Sequence, residues 1–272
     1  MKNRSPSLAP GAKIPVCGLL ICLLLPGPCL NAAQLETRVT QVLKDVKLGQ
    51  PEAALRRATV GESVRDGDAI NTGVTGHIEL TLPNQTIARL GAKTNVSFND
   101  EAGTMDLAEG AVLFQIPKGA GRLKIKSNAI AVTSTGATGI IERHGQFYVK
   151  VLVLEGTVRC YLTNRLGESL LLQPGQILIT KPDVTALPEP ADFDIAREMK
   201  TCLLVRDFPL LPSQRRIESE EQKQQNLIAR GTYMPSNLVI FGRGTQVTVV
   251  SPPSTTPPPK PVTNSGQQSR AP

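Results

Sequence analysis

Aromatic residues are scarce in this 272-residue chain: they make up 3% of it, and tryptophan is absent. The apolar core must therefore be built from Val, Ile, Leu and Ala. Histidine is nearly absent as well. The two that occur, His77 and His144, each stand at the edge of a predicted strand, without a Cys or an acid at ligand spacing. This pattern argues against a metal site of His and Cys ligands.

Sequence motifs for catalysis and cofactor binding are also missing. The chain has no nucleophile elbow, no Walker loop and no dinucleotide fingerprint. Glu109 and Glu155 could pair as catalytic carboxylates, but they occupy equivalent positions in an internal echo, which favours a role in turns. The sequence therefore predicts a protein that is not an enzyme and that binds no cofactor.

Two loops have a weak likeness to ligand sites. Residues 134–139, STGATG, could hold an anion through backbone amides, but no lysine and no following helix supports that function. Residues 65–68, RDGD, resemble part of a calcium loop, but they contain only two acids and no later Glu at loop spacing. A structural turn is the favoured interpretation of both, a type I turn in the second.

The N-terminus has the layout of a secretory signal peptide over residues 1–33. Basic residues at Lys2, Arg4 and Lys13 precede an apolar run from Val16 to Leu25, which is too short to cross a bilayer as a helix. A short membrane anchor and a buried N-terminal helix are the alternatives. We expect cleavage after Ala33, a periplasmic or secreted location, and no transmembrane helix in the mature chain.

Loss of this segment changes the charge and the cysteine count. The 27 basic and 23 acidic residues that remain give a formal net charge of +4, against +7 for the whole chain. These charges are spread along the sequence without a dense Lys/Arg block, which argues against a nucleic-acid partner. Only Cys160 and Cys202 remain. In an oxidising compartment they would form a disulfide, or Cys160 would be a small buried side chain of a strand.

Residues 34–190 have mostly the two-residue periodicity of β-strands. Residues 77–82 alternate polar and apolar side chains, 86–90 and 95–98 repeat the pattern, and 147–154 is more continuously apolar, as in a strand covered on both faces. Turn signals recur about every 8–12 residues. The rhythm predicts an all-β domain of stacked short strands: a β-sandwich, a barrel or a solenoid-like stack.

The β region contains an internal echo. Residues 109–116, EGAVLFQI, match residues 155–162, EGTVRCYL, each with an acid and a glycine at a turn before a strand. Two copies are too few for a repeat protein, but they fit a core of stacked β-arches. Glycine at such corners permits positive φ, so we expect a β-branched residue at Gly110 or Gly156 to destabilise the fold by over ~1 kcal/mol.

Several short motifs occur in the order found in the FecR domain, and the chain resembles that family over about residues 39–181. The motifs are VGESV and GDAINTG in 60–73, RLGAKTN in 89–95, GAVLFQIPK in 110–118, a looser AVTSTGATGI in 131–140, and VLEGTV and LQPGQ in 153–176. Each motif is weak by itself, and their order carries the resemblance. Its turn residues are Gly61, Gly67, Asp68, Gly73, Gly91, Gly110, Gly156 and Gly175.

The resemblance implies an all-β module of bacterial envelope proteins. The iron-transport regulators that name the family carry a cytoplasmic segment that contacts a sigma factor, followed by a transmembrane helix. Here the predicted export signal directly precedes the β domain, so we expect a free-standing exported member without the anti-sigma segment. Two functions stay open: a binding or scaffold module for an envelope protein or polysaccharide, and a sensory subunit that relays a signal to a membrane partner.

Residues 191–250 are predicted to form a helical extension with two further strands. Ser213 is placed to cap a helix over 214–230, whose polar middle predicts a surface position. Residues 238–241 and 246–250 are strand candidates, either a hairpin or an exposed edge that pairs with a partner.

The C-terminal tail, residues 251–272, contains seven prolines and hardly any large apolar side chain. Such a segment buries too little apolar surface to offset the entropy lost on ordering. We therefore predict a disordered, partly polyproline tail, either an unordered end or a spacer or docking segment.

Overall fold

The computed structural model describes residues 36–50, 53–99, 103–165, 167–233, 235, 237–239 and 248–250. The predicted signal peptide and the predicted disordered tail lie outside these residues. Among the residues described, no helix combines the length and the apolar character needed to cross a membrane.

Strands dominate the described chain up to residue 192. The first nine are β1 Thr37–Leu43, β2 Val46–Gly49, β3 Arg56–Arg57, β4 Ser63–Val64, β5 Ala69–Thr72, β6 His77–Thr81, β7 Ile87–Leu90, β8 Asn95–Asn99 and β9 Thr104–Gln115. The next eight are β10 Leu123–Ser127, β11 Ile130–Ser134, β12 Ala137–His144, β13 Tyr148–Gly156, β14 Val158–Leu162, β15 Ser169–Leu172, β16 Gln176–Thr180 and β17 Ala191–Asp192. The helices α1 Ile195–Thr201, α2 Leu203–Arg206 and α3 Gln214–Ala229 follow. Two last strands, β18 Asn237–Val239 and β19 Thr248–Val250, pair with each other as an antiparallel hairpin.

The strands β1 to β17 form two sheets that share the long strand β9. Sheet A has the order β4-β1-β6-β7-β9-β12-β13-β16-β17. Sheet B has the order β3-β2-β5-β8-β9-β10-β11-β14-β15. All these pairs are antiparallel except β9 with β10. The first half of β9 lies in sheet B and the second half in sheet A, with the change at Gly110, whose φ of 92° favours glycine.

The two sheets enclose one apolar core, so the all-β prediction is confirmed and takes the form of a β-sandwich. The side chains of Ile78 and Leu80 in sheet A point into this core, and so do those of Ile125 and Val132 in sheet B. Because tryptophan is absent, branched aliphatic side chains fill most of this space. At about 25 cal/mol per Å² of apolar surface, their burial is the main stabilising contribution to the fold.

The helical extension packs on the opposite, outer face of sheet A. A second apolar cluster combines Leu113, Ile140, Leu152 and Ile177 of this face with Phe193, Ile195, Leu204, Phe208, Leu211 and Ile217 of the extension. Sheet A is therefore covered on both faces, which explains the continuously apolar sequence of β13.

Two predictions about the extension need correction. Ser213 stands directly before α3 as predicted, but its side chain makes no capping hydrogen bond. Its hydroxyl instead shares a hydrogen bond of 2.7 Å with the Thr138 hydroxyl in sheet A. The middle of α3 is also not wholly on the surface, since Gln224 is buried. Tertiary contacts with sheet A decide both outcomes.

Cys160 and Cys202 are both free thiols, so the disulfide considered from the sequence is not formed. Cys160 is fully buried between the sheets, whereas Cys202 packs with the helices on the outer face of sheet A. Sheet A separates the two thiols, and Cys160 is the small buried side chain of a strand. Burial raises the pKa of Cys160 to about 12.

Candidate functional site

The motif glycines stand at chain corners rather than around a cavity. Five of them have φ between 75° and 92°: Gly61, Gly67, Gly110, Gly156 and Gly175. Gly73 matters for space instead of φ, since a Cβ there would lie 2.8 Å from Oδ2 of Asp45. A Cβ at Gly91 would make only ordinary contacts with Leu204 and Ala111. The motif therefore specifies the fold.

Asp68 closes its own turn. Its carboxylate accepts hydrogen bonds from the Arg65 amide, at 2.8 Å, and from Nε2 of Gln50, at 2.7 Å. The Asp68 amide donates back to the Arg65 carbonyl at 3.1 Å, as in a turn. Within the described residues no group of His, Cys, Asp and Glu is arranged to hold a metal ion.

The structure does not bring Glu109 and Glu155 together. Glu155 is paired with Thr138 at the start of β12, and Glu109 accepts a hydrogen bond from the Gly145 amide just past its end. These positions are about 20 Å apart along a strand. Their neighbours give each carboxylate a structural role in a different part of the sandwich.

The two histidines also lie apart. His77 is buried beside the extension, with Nδ1 3.9 Å from Oδ2 of Asp207 and its ring edge-on to Phe208. His144 stacks with Phe147 and Tyr148 at the turn between β12 and β13.

Arg89, in the RLGAKTN motif, attaches the extension to sheet A. Its side chain is 1% exposed, and Nε donates to Oε2 of Glu79 at 2.8 Å. The two terminal nitrogens donate to the carbonyls of Leu204, at 3.1 Å, and Pro209, at 2.7 Å, while the guanidinium lies 4.8 Å from the Phe208 ring centre. Burial lowers the pKa of Arg89, and the Glu79 carboxylate opposes this shift.

Glu155 provides a second attachment. Its carboxylate accepts hydrogen bonds from Nε and Nη2 of Arg216 in α3, at 3.2 and 3.1 Å, and from the Thr138 hydroxyl at 2.8 Å. A third attachment lies at Gly175, whose carbonyl accepts from the Tyr233 hydroxyl at 3.0 Å. Gln224 donates to the same hydroxyl at 2.8 Å.

A partly buried set of titratable groups lies where β12 and β13 meet α1 and the residue that follows it. Burial lowers the pKa of Lys150, but its ion pair with Glu142, together with the nearby Glu198, raises the pKa of Lys150 above its ordinary value. Burial raises the pKa of Glu198, against the opposing charge of Lys150. Burial and Glu198 raise the pKa of Cys202 to about 11, so this thiol stays protonated near neutral pH and is a poor nucleophile. The outer face of sheet A is thus occupied by the chain itself.

Among the described residues, no helix covers the outer face of sheet B in this way, and its strand β11 carries small outward side chains. Ile130 and Val132 of β11 lie in the core, so Ala131 and Thr133 point outward. Because side chains alternate along a strand, these two form the floor of the outer face: Thr133 lines a depression, whereas Ala131 is fully buried under its neighbours.

Long side chains stand on both sides of this floor. In the first row across the sheet, Thr133 lies between Lys124 of β10 and Arg159 of β14. In the second row, Ala131 lies between Lys126 and Tyr161. Small residues between long ones create a groove along β11, which we call the Tyr161 groove.

The Tyr161 groove has two depressions, of about 500 and 370 Å³. Arg159 and Tyr161 line both of them. The larger is also lined by Lys124, Lys126, Leu162, Thr163, Arg165, Gly167, Glu168 and Ser169, and the smaller by Arg122, Thr133, Ser134, Thr135, Thr157 and Leu171. Their size is that of ligand sites in proteins.

The charge of the groove is strongly positive. It contains Arg122, Lys124, Lys126, Arg159 and Arg165, none of which forms an ion pair with another described residue. Contacts with neighbouring side chains orient two of the five, Arg159 and Lys124.

Nη1 of Arg159 donates to the Ser169 hydroxyl at 2.9 Å, and the Lys124 ammonium lies 5.7 Å from the Tyr161 ring centre. Glu168 is the acid of the lining, and its carboxylate is engaged by the Leu187 amide at 2.6 Å. The groove can therefore attract and hold an anion.

Sequence reasoning missed this groove. Its cations alternate with core residues on two strands more than 30 positions apart, so no dense basic block marks them in the sequence. The available signal was the alternation of core residues with cations or Tyr161 in two runs, RLKIK at 122–126 and VRCYL at 158–162. Only the pairing of β10, β11 and β14 shows that both runs face the same groove.

The family model described as FecR protein matches residues 68–159. Two crystal structures of a "putative anti-sigma factor" from Parabacteroides distasonis ATCC 8503, at 1.65 and 2.50 Å resolution, each share 15% identity with the chain. The first match covers 51% of this chain and 74% of the other, with a TM-score of 0.40; the second covers 49% and 64%, with a TM-score of 0.41. A search of curated proteins found no match.

Proposed function

The chain contains a FecR domain, and on that premise we propose that it is a non-catalytic binding module of the bacterial cell envelope. The observation that carries the proposal is the Tyr161 groove. It contains five cations that form no ion pair with another described residue, while the other large face, on sheet A, is filled by the helical extension.

Export is part of this proposal and rests on the signal-peptide pattern of residues 1–33. Expression of the full chain in a Gram-negative host, followed by cell fractionation and intact-mass measurement, tests it. We expect a periplasmic or secreted product that begins at Gln34. An intact N-terminus in the cytoplasmic fraction would contradict export.

Binding through the groove is tested by capture from envelope fractions. The bait is the full chain, compared with a Lys124→Glu/Arg159→Glu variant that reverses two groove charges. The matched control is Lys47→Glu/Arg57→Glu, which makes the same charge change at exposed, paired positions of β2 and β3 in sheet B. We expect the groove variant alone to lose the captured component. Equal capture by all three proteins would contradict the proposed site.

The FecR domain favours a second candidate function, a sensory subunit that passes a signal to a membrane partner. Chemical cross-linking in intact cells, followed by mass spectrometry, separates the two. Recovery of a membrane regulator supports the sensory function. Recovery of wall or capsule glycans without any membrane protein would exclude it.

A further inference from the structure

We propose that the ligand of the Tyr161 groove is an acidic polysaccharide, held along β11 with its carboxylates on the cations of β10. This inference rests on the proposed function and adds the chemical class of the ligand. Lys124 and Lys126 point outward from β10, and Arg122 directly precedes this strand at the same two-residue spacing. Successive outward side chains of a strand are about 6.8 Å apart, so these cations form a row along one wall of the groove. The wall therefore offers several cations to a polymer that carries many acidic groups.

The opposite wall and the floor offer the contacts that sugars need. Arg159 supplies a further cation, whose orientation is fixed by Ser169. Hydroxyl groups of Thr133 and Thr135 line the smaller depression, where sugar hydroxyls can donate and accept. Tyr161 adds an aromatic surface between the two depressions, available to the apolar C–H face of a sugar ring.

An acidic polypeptide fits less well, for a reason of backbone chemistry. Strand β11 is paired with β10 and β14, and β14 is paired with β15, so the groove lies in the interior of the sheet. A peptide strand placed there finds no free strand edge for its amides and carbonyls. Lysine is also depleted at the centre of protein interfaces, whereas Lys124 and Lys126 line the larger depression.

Calorimetric titration of the full chain tests the proposal with three probes: alginate, a uronic-acid polymer; dextran, a neutral polysaccharide; and poly-glutamate, an acidic polypeptide. We expect alginate to bind, dextran not to bind, and poly-glutamate to bind at least tenfold more weakly. Lys124→Gln/Arg159→Gln should weaken alginate binding about tenfold, since each exposed charge pair contributes modestly. Lys47→Gln/Arg57→Gln, about 19 Å away across sheet B, should leave it within twofold.

Each other outcome overturns the proposal in a recognisable way. Poly-glutamate binding as tight as alginate binding rejects the polysaccharide but keeps a binding module. Equal losses in the groove variant and the control variant show non-specific charge attraction and reject the site. If alginate does not bind while envelope capture still depends on the groove, the ligand class is wrong and the proposed function stands. If capture fails too, both are wrong.

Discussion

Replacement of Arg89 by methionine tests whether one buried side chain fixes the helical extension to the sandwich. Methionine keeps much of the aliphatic volume but removes the guanidinium. The change leaves the Glu79 carboxylate, 7% exposed, without its cation, and the carbonyls of Leu204 and Pro209 without their donors. Thr40 still donates to Glu79 at 2.9 Å, but a neutral hydroxyl does not replace the lost charge.

The expected loss follows from this inventory. Removal of one partner of a buried ion pair costs about 3–5 kcal/mol, chiefly because a charge is left buried without compensation. Glu79→Gln/Arg89→Met removes that charge as well, so the double variant should be more stable than the single one. Arg38→Met is the control, because this side chain is 56% exposed and its loss should change stability by less than ~0.5 kcal/mol.

Urea unfolding followed by far-UV circular dichroism measures these differences, since the chain has no tryptophan to report by fluorescence. Hydrogen exchange adds a local measurement, with faster exchange expected in α1 and α2 of the Arg89→Met variant. A loss below ~1 kcal/mol would refute the reasoning, as would a double variant less stable than Arg89→Met.

Three further predictions concern stability and thiol chemistry. Gly156→Ala should destabilise the fold by more than ~2 kcal/mol in urea unfolding, because the new Cβ would overlap the Gly136–Ala137 backbone. The control Gly167→Ala, at φ 91° in open space, should cost about 1 kcal/mol. Equal losses would contradict the steric reason. Because the pKa of Glu198 is raised in the folded state, its contribution to folding stability is present below its unfolded pKa and is lost as the pH rises through its folded pKa. Glu198→Gln should therefore be more stable than wild type at pH 7 but not at pH 4. A gain in stability at both pH values would contradict the assignment. A thiol reagent should leave Cys160 unmodified in the mature native chain and should modify two thiols in the unfolded chain. The absence of any reactive thiol on unfolding would indicate a disulfide between Cys160 and Cys202.

The sandwich was predictable in outline because its signals are local. Alternation over residues 77–82 and the continuous apolar run of β13 report burial directly, and glycine–acid pairs mark corners such as Gly110 and Gly156. The echo of 109–116 in 155–162 also has a structural meaning, since the chain changes sheet at both places. Such features depend on neighbours in sequence, so a sequence can show them.

The attachments of the extension were not predictable in the same way. Arg89 and Leu204 are 115 positions apart, and nothing near Arg89 indicates that its side chain turns outward to meet α2. Gln224 is similar. Its polarity predicts a surface position, but it is buried, and three hydrogen-bond partners satisfy its side-chain amide. Side chains whose role is set by distant partners need the packed structure to be interpreted.

The central claim is that the FecR domain binds its ligand on the outer face of sheet B. Backbone amide shifts of the isotope-labelled full chain, recorded during a titration with alginate, test it most directly. We predict that the shifts change along β10, β11 and β14 and stay constant in α1, α2 and α3. Changes centred on the helical extension, or no change at concentrations that saturate the calorimetric signal, would contradict the claim.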